Sequence, residues 1–95
     1  MKTIPFNVRV TMPEYVLIQE LDCEAVLLNL KSETYFGLDD VGMRIWQVLT
    51  MSHSIQDAYQ VLLDEYEVAP EKLHQDLNDL LVQLVQQGLL EVRNE

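Results

Sequence analysis

The apolar residues change period partway along this 95-residue chain, and that change limits its fold more than any other feature. Up to about residue 38 they fall in short runs rich in β-branched and aromatic types, separated by polar turns. Beyond residue 38 they recur at i, i+3, i+4 and i+7, the spacing of one helix face. Tyr15 to Leu21 reads as a first strand after the Met12-Pro13-Glu14 break. Ala25 to Leu30 is a second strand after Asp22-Cys23-Glu24, and Thr34 to Leu38 a third after Lys31-Ser32-Glu33. Turns this short join antiparallel neighbours, so the three form a meander with the third strand at an edge.

Asp39 and Asp40 give the N-cap signal of a first helix that runs to about Thr50, with Val41, Ile45, Val48 and Leu49 on one face. Gly42 lies inside it at a cost of about 1 kcal/mol in helix propensity, which marks a close approach. Ser54 caps a second helix with Ile55, Ala58, Tyr59, Leu62, Leu63 and Tyr66 in register. Pro70 suits the first turn of a third, and Gly88 ends it. Leu89 to Val92 is expected to add a short strand or pack on the core. Three strands followed by three amphipathic helices predict one α+β domain over residues 1–95, winged-helix-like, with its ordered core over about 15–92.

The formal net charge of −10, with six Lys and Arg in total, speaks against nucleic acid, whose sequence-independent affinity comes from basic residues neutralising phosphates. No apolar stretch reaches the length of a membrane span or signal peptide. Cys23 is the sole cysteine, which excludes an intrachain disulfide and a thiolate cluster. A cytoplasmic protein is expected.

Residues for catalysis are missing. His53 and His74 fall on different elements, and His74 with Asp76 is an i, i+2 pair that does not share a helix face. Asp39-Asp40 reads as a cap, Asp64 to Glu67 as a solvated helix end, and Cys23 lacks a histidine nearby in sequence. No phosphate-loop, dinucleotide or zinc-protease motif occurs. Neither catalytic residues, a metal site nor a cofactor is predicted, and the chain is not expected to be an enzyme.

A surface is what remains. The third strand has no Pro or charge inside Thr34 to Leu38, so its free edge is open to an extended peptide joining as another strand. The third helix carries a broad stripe of Leu73, Leu77, Leu80, Leu81, Leu84 and Val85, flanked by Asp76, and most of these are read as core. If this helix lies beside the third strand, the rest of the stripe lines a groove. Tyr35 and Phe36 point to opposite faces, and Trp46 reads as core rather than contact.

The order and spacing of Ala25-Val26-Leu27-Leu28-Asn29-Leu30, Thr34-Tyr35-Phe36-Gly37-Leu38 and Val41-Gly42-x-Arg44-Ile45-Trp46-x-x-Leu49 resemble the PqqD-like family of peptide-recognition domains. The resemblance continues through Tyr66-Glu67-Val68 and Asp76-Leu77-x-x-Leu80-Leu81-x-x-Leu84 to Gly88-Leu89-Leu90-Glu91, and so covers nearly the whole chain. It implies that the leader segment of a ribosomally made precursor joins the third strand and rests beside the third helix. The positions implied are Glu33, Thr34, Tyr35, Phe36, Gly37 and Leu38, with Leu73, Asp76, Leu77, Leu80, Leu81, Leu84 and Val85. The stand-alone length looks most like the recognition proteins of lasso-peptide pathways, whose partners are a leader protease and a cyclase. Alternatives are a peptide chaperone for a radical SAM enzyme, a DNA-binding regulator and a structural subunit. Asp39-Asp40 departs from the family's usual small polar residue and adds charge near the site. Two copies of the exposed edge are also expected to be able to pair as a homodimer. Phe36→Pro is expected to remove a donor from the edge.

Overall fold

A computed structural model describes residues 4–93. Two sheets and three helices follow the period change read above. The strands are β1 (Arg9–Thr11), β2 (Val16–Leu21), β3 (Glu24–Asn29), β4 (Thr34–Leu38) and β5 (Glu91–Arg93), and the helices are α1 (Asp40–Met51), α2 (Ile55–Glu65) and α3 (Pro70–Gln86). β2, β3 and β4 form an antiparallel sheet in that order, and β1 pairs antiparallel with β5. The α+β class and the three-stranded meander agree with the sequence reading.

Alternation places Val16, Ala25, Leu27 and Leu38 on the buried face of the larger sheet, where they join one core with Ile45, Trp46, Val48 and Leu49 of α1. Leu17, Leu21 and Tyr35, on the opposite parity, are exposed. α1 and α2 begin as their caps require. The Asp39 carboxylate accepts from the Gly42 N–H at 2.7 Å, and the Ser54 hydroxyl accepts from the Asp57 N–H. A Cβ at Gly42 would lie 3.2 Å from the Asp39 carboxylate and 3.3 Å from Leu38, so the close approach there is by side chains.

At its other end α3 closes with Gly88 at φ +73°. The Gly88 N–H donates to the Val85 carbonyl and the Leu89 N–H to the Leu84 carbonyl, a Schellman ending that needs a residue free to adopt positive φ. Leu89 and Leu90 then enter the core and β5 follows, so the tail both packs and forms a strand.

The expected start of the ordered core, near residue 15, is corrected by the structure. Phe6, Val8 and Val10 are buried, and the carbonyls of Phe6 and Val8 accept from Gln56 and Ile55, the first N–H groups of α2. Phe6 stacks on His74 at 4.2 Å between ring centroids, and the Ile4 N–H donates to the Asn78 side chain. The alternation Phe6, Val8, Val10 against Asn7 and Arg9 is a period-two signal in the sequence. The segment also satisfies helix-terminal donors that otherwise lack partners. Among the described residues, no helix is long and apolar enough to cross a membrane.

Candidate functional site

β4 lies at one edge of its sheet, and the hydrogen-bond phase decides which of its backbone groups are free. The Leu30 N–H donates to the Tyr15 carbonyl at 2.9 Å, and these residues continue the Val16↔Asn29 register of β2 and β3. Directly opposed residues that bond in this way alternate with pairs that do not. Leu28 and Val26 therefore face β2, whereas Asn29, Leu27 and Ala25 face β4. Their partners across the second ladder are Thr34, Phe36 and Leu38. The N–H and C=O groups of Tyr35 and Gly37 thus point away from the sheet, and among the described residues no strand lies beyond them.

This phase overturns one expectation. The Phe36 N–H belongs to the ladder with β3, so Phe36→Pro would damage the sheet itself rather than remove a free donor. Tyr35 and Gly37 are the positions where a donor faces outward. A strand's sequence shows which side chains alternate but not which backbone groups point to a given neighbour, and only the paired register settles that.

The side chains of β4 divide accordingly. Tyr35 is 75% exposed, and a Cβ added at Gly37 would meet nothing within 4 Å. Phe36 is half-buried against the core, and Leu38 is buried within it. Thr34 is exposed, and its hydroxyl lies 2.7 Å from that of Ser32. Glu33, also exposed, has φ +58°, which turns the chain into β4 from a left-handed position.

The stripe of α3 requires a larger correction. Leu73, Leu77, Leu81 and Leu84 are buried, the last three with no exposed surface, so they are core and do not form the wall of a groove. The stripe is broad because α3 packs on α2, on the N-terminal segment and on Leu89 and Leu90 within one core. Leu80 and Val85 are the stripe members left partly exposed, and Asp76 is exposed and pairs with Lys72 at 3.0 Å.

Asn29 holds this region together and was not singled out from the sequence. It is 5% exposed, and its side-chain amide donates to the Gln87 carbonyl at 2.9 Å while its oxygen accepts from the Lys31 and Ser32 N–H groups. One side chain therefore shapes the β3–β4 turn and ties it to the end of α3. Its sequence signal is an amide on the inward parity of β3, immediately before a turn. A Cβ at Gly88 would come within 3.0 Å of the Asn29 amide nitrogen, so this junction also favours glycine on steric grounds.

The remaining titratable residues hold the fold or stand at its surface. Arg44 of α1 makes a two-pronged ion pair with Glu65 of α2, with Nε to Oε2 at 3.0 Å and the second contact from Nη2 to Oε1. The hydrogen bond from Arg44 holds the Glu65 carboxyl below the usual carboxylate range, and Glu65 in turn raises Arg44. Cys23 is an exposed free thiol. Among the described residues no three His, Cys, Asp or Glu side chains gather as a metal site would require.

Residues 24–90 match the protein family described as coenzyme PQQ synthesis protein D (PqqD). Two solved structures are similar over most of their length. One is TbiB1 in complex with the TbiA(β) leader peptide, 37% identical, with 85% of this chain and 94% of that chain covered and a TM-score of 0.79. The other is a lasso peptide synthetase B1 complexed with the leader peptide, 29% identical, covering 87% and 98% of the two chains with a TM-score of 0.78. No curated protein matches the sequence.

Proposed function

The chain belongs to the PqqD family, and on that premise we propose that it is a non-catalytic recognition element of lasso-peptide biosynthesis, which binds a precursor's leader segment along β4. The observation that carries this reading is the free edge of β4, in a fold whose two similar solved structures are both leader-peptide complexes. The leader adds as a fourth strand and bonds to the outward N–H and C=O groups of Tyr35 and Gly37. Phe36, with the exposed parts of Leu80 and Val85, receives its inward side chains, and Glu33, exposed where the chain enters β4, favours a leader with a basic residue nearby.

Magnitudes separate the two contributions. Four backbone hydrogen bonds at about 1 kcal/mol net each supply about 4 kcal/mol. Micromolar affinity corresponds to about 8 kcal/mol, after association costs of at least a further 4 kcal/mol. The balance comes from apolar burial at about 25 cal/mol per Å², so side chains set which leader binds and the edge sets its register. The module then acts by position. It holds the leader while a protease and a cyclase work on the attached segment, which raises the effective concentration of that segment at their active sites.

Fluorescence anisotropy with a labelled leader peptide tests the reading. Tyr35→Ala removes the ring alone, and Tyr35→Pro removes the ring and the edge donor. Tyr35→Pro is expected to bind about fivefold more weakly than Tyr35→Ala, as the loss of one backbone hydrogen bond of about 1 kcal/mol requires, with both folded. Equal affinities would exclude addition at this edge.

A further inference from the structure

The opposite edge of the sheet has the same open character and a cavity beside it. The phase derived above directs the N–H and C=O groups of Val16, Ile18 and Glu20 away from β3, and the Val16 N–H is taken by the Pro13 carbonyl. Ile18 and Glu20 thus keep free backbone groups, and among the described residues no strand lies beyond β2. Their side chains face α1 and line a cavity of about 260 Å³ together with Met12, Trp46 and Met51.

The chemistry of that cavity is that of a receptor for a side chain. Met12 is 43% and Met51 79% exposed at its rim, an unusual position for flexible apolar residues that adapt to a partner. Trp46 is buried, yet its indole N–H has no acceptor among the described residues, and no shielded side-chain nitrogen or oxygen is left unpaired, so this N–H borders solvent. The Glu20 carboxylate is the one ionisable group lining the cavity and has no partner among the described residues. A strand laid on β2 places alternate side chains on the α1 side, one over the cavity and the next beside Glu20.

We propose that β2 and this cavity form a second strand-addition site, which takes an extended segment of a partner protein carrying an apolar side chain and, two residues away, Lys or Arg. Charge selects this occupant over a second copy of the chain, which would bring its own net charge of −10 against Glu20. β3 lies between the two edge strands, so at about 4.8 Å per strand spacing segments added beyond β2 and beyond β4 lie roughly 19 Å apart and can be bound together. The assignment stands independently of leader binding at β4.

The test uses the capped peptide Thr-Leu-Thr-Lys-Thr and its counterpart with Glu in place of Lys. Trp46 is the only tryptophan, so its emission reports the cavity directly, and amide NMR shifts of Ile18 and Glu20 report the edge. The Lys peptide is expected to give a saturable change at least tenfold stronger in affinity than the Glu peptide. Glu20→Lys is expected to invert that preference and Met51→Ala to weaken both peptides, while saturation with a leader peptide leaves the titration unchanged. No response at 10 mM peptide, equal affinity for the two peptides, or shifts at Tyr35 and Gly37 in place of Ile18 and Glu20 would overturn the proposal.

Discussion

Asn29 carries more of the site's geometry than any residue proposed to touch the leader. Its three hydrogen bonds join the β3–β4 turn to the last turn of α3, in surroundings that leave it 5% exposed. Removing the amide leaves two donors and one acceptor to find poorer partners, at about 1–3 kcal/mol. Asn29→Ala is therefore expected to lower the unfolding free energy by about 2 kcal/mol in a urea titration. It should also weaken leader binding without removing any proposed contact. Glu65 offers a test in pH. Arg44 depresses its folded-state pKa, so the stability it contributes is present above the ordinary carboxylate range and is lost as pH falls through the depressed value. Glu65→Gln is expected to melt below the parent at neutral pH, and the difference should close in acid. A constant difference down to acid pH would count against the ion pair as its source.

At the scale of elements, β4 separates fold from function by parity. Phe36→Pro is expected to unfold the sheet or destabilise it by 3 kcal/mol or more, because the ring removes a ladder bond. Tyr35→Pro is expected to cost far less, because an outward N–H at a sheet edge is where proline is tolerated. Circular dichroism with urea titration of both variants checks this contrast. The existence and order of β2, β3, β4 and the three helices were legible because periods of two and 3.6 survive in the residues themselves. Asp39, Ser54, Pro70 and Gly88 marked their ends by local chemistry. The site was legible less completely. A stripe such as Leu73 to Val85 looks the same whether its neighbour is core or ligand, and full burial of Leu77, Leu81 and Leu84 emerges only when every packing element is placed. Asn29 was overlooked for a related reason, since its partner at Gln87 is 58 residues away in sequence.

For the whole molecule, the N-terminal segment is as much a part of the core as the helices. Phe6 lies against both Tyr59 and His74 and is 9% exposed. Deleting such a ring costs about 3–5 kcal/mol in transfer and cavity terms. Phe6→Ala is expected to lower the unfolding free energy by about 3 kcal/mol, which for a domain of this size lowers Tm by more than 10 °C. Differential scanning calorimetry would show it, and an unchanged Tm would mean that the segment does not pack in solution as described. The pairing of β1 with β5 sets Arg9 opposite Arg93, at nearly the greatest separation the described residues allow. During synthesis, then, the meander and the first helices can form on an emerging chain, but this last clasp must wait until residue 93 has cleared the ribosome exit tunnel. Until then a nascent chain can hold the β2–β3–β4 meander while β1 lacks its strand partner, although Phe6 and Val8 can already be held by the first turn of α2.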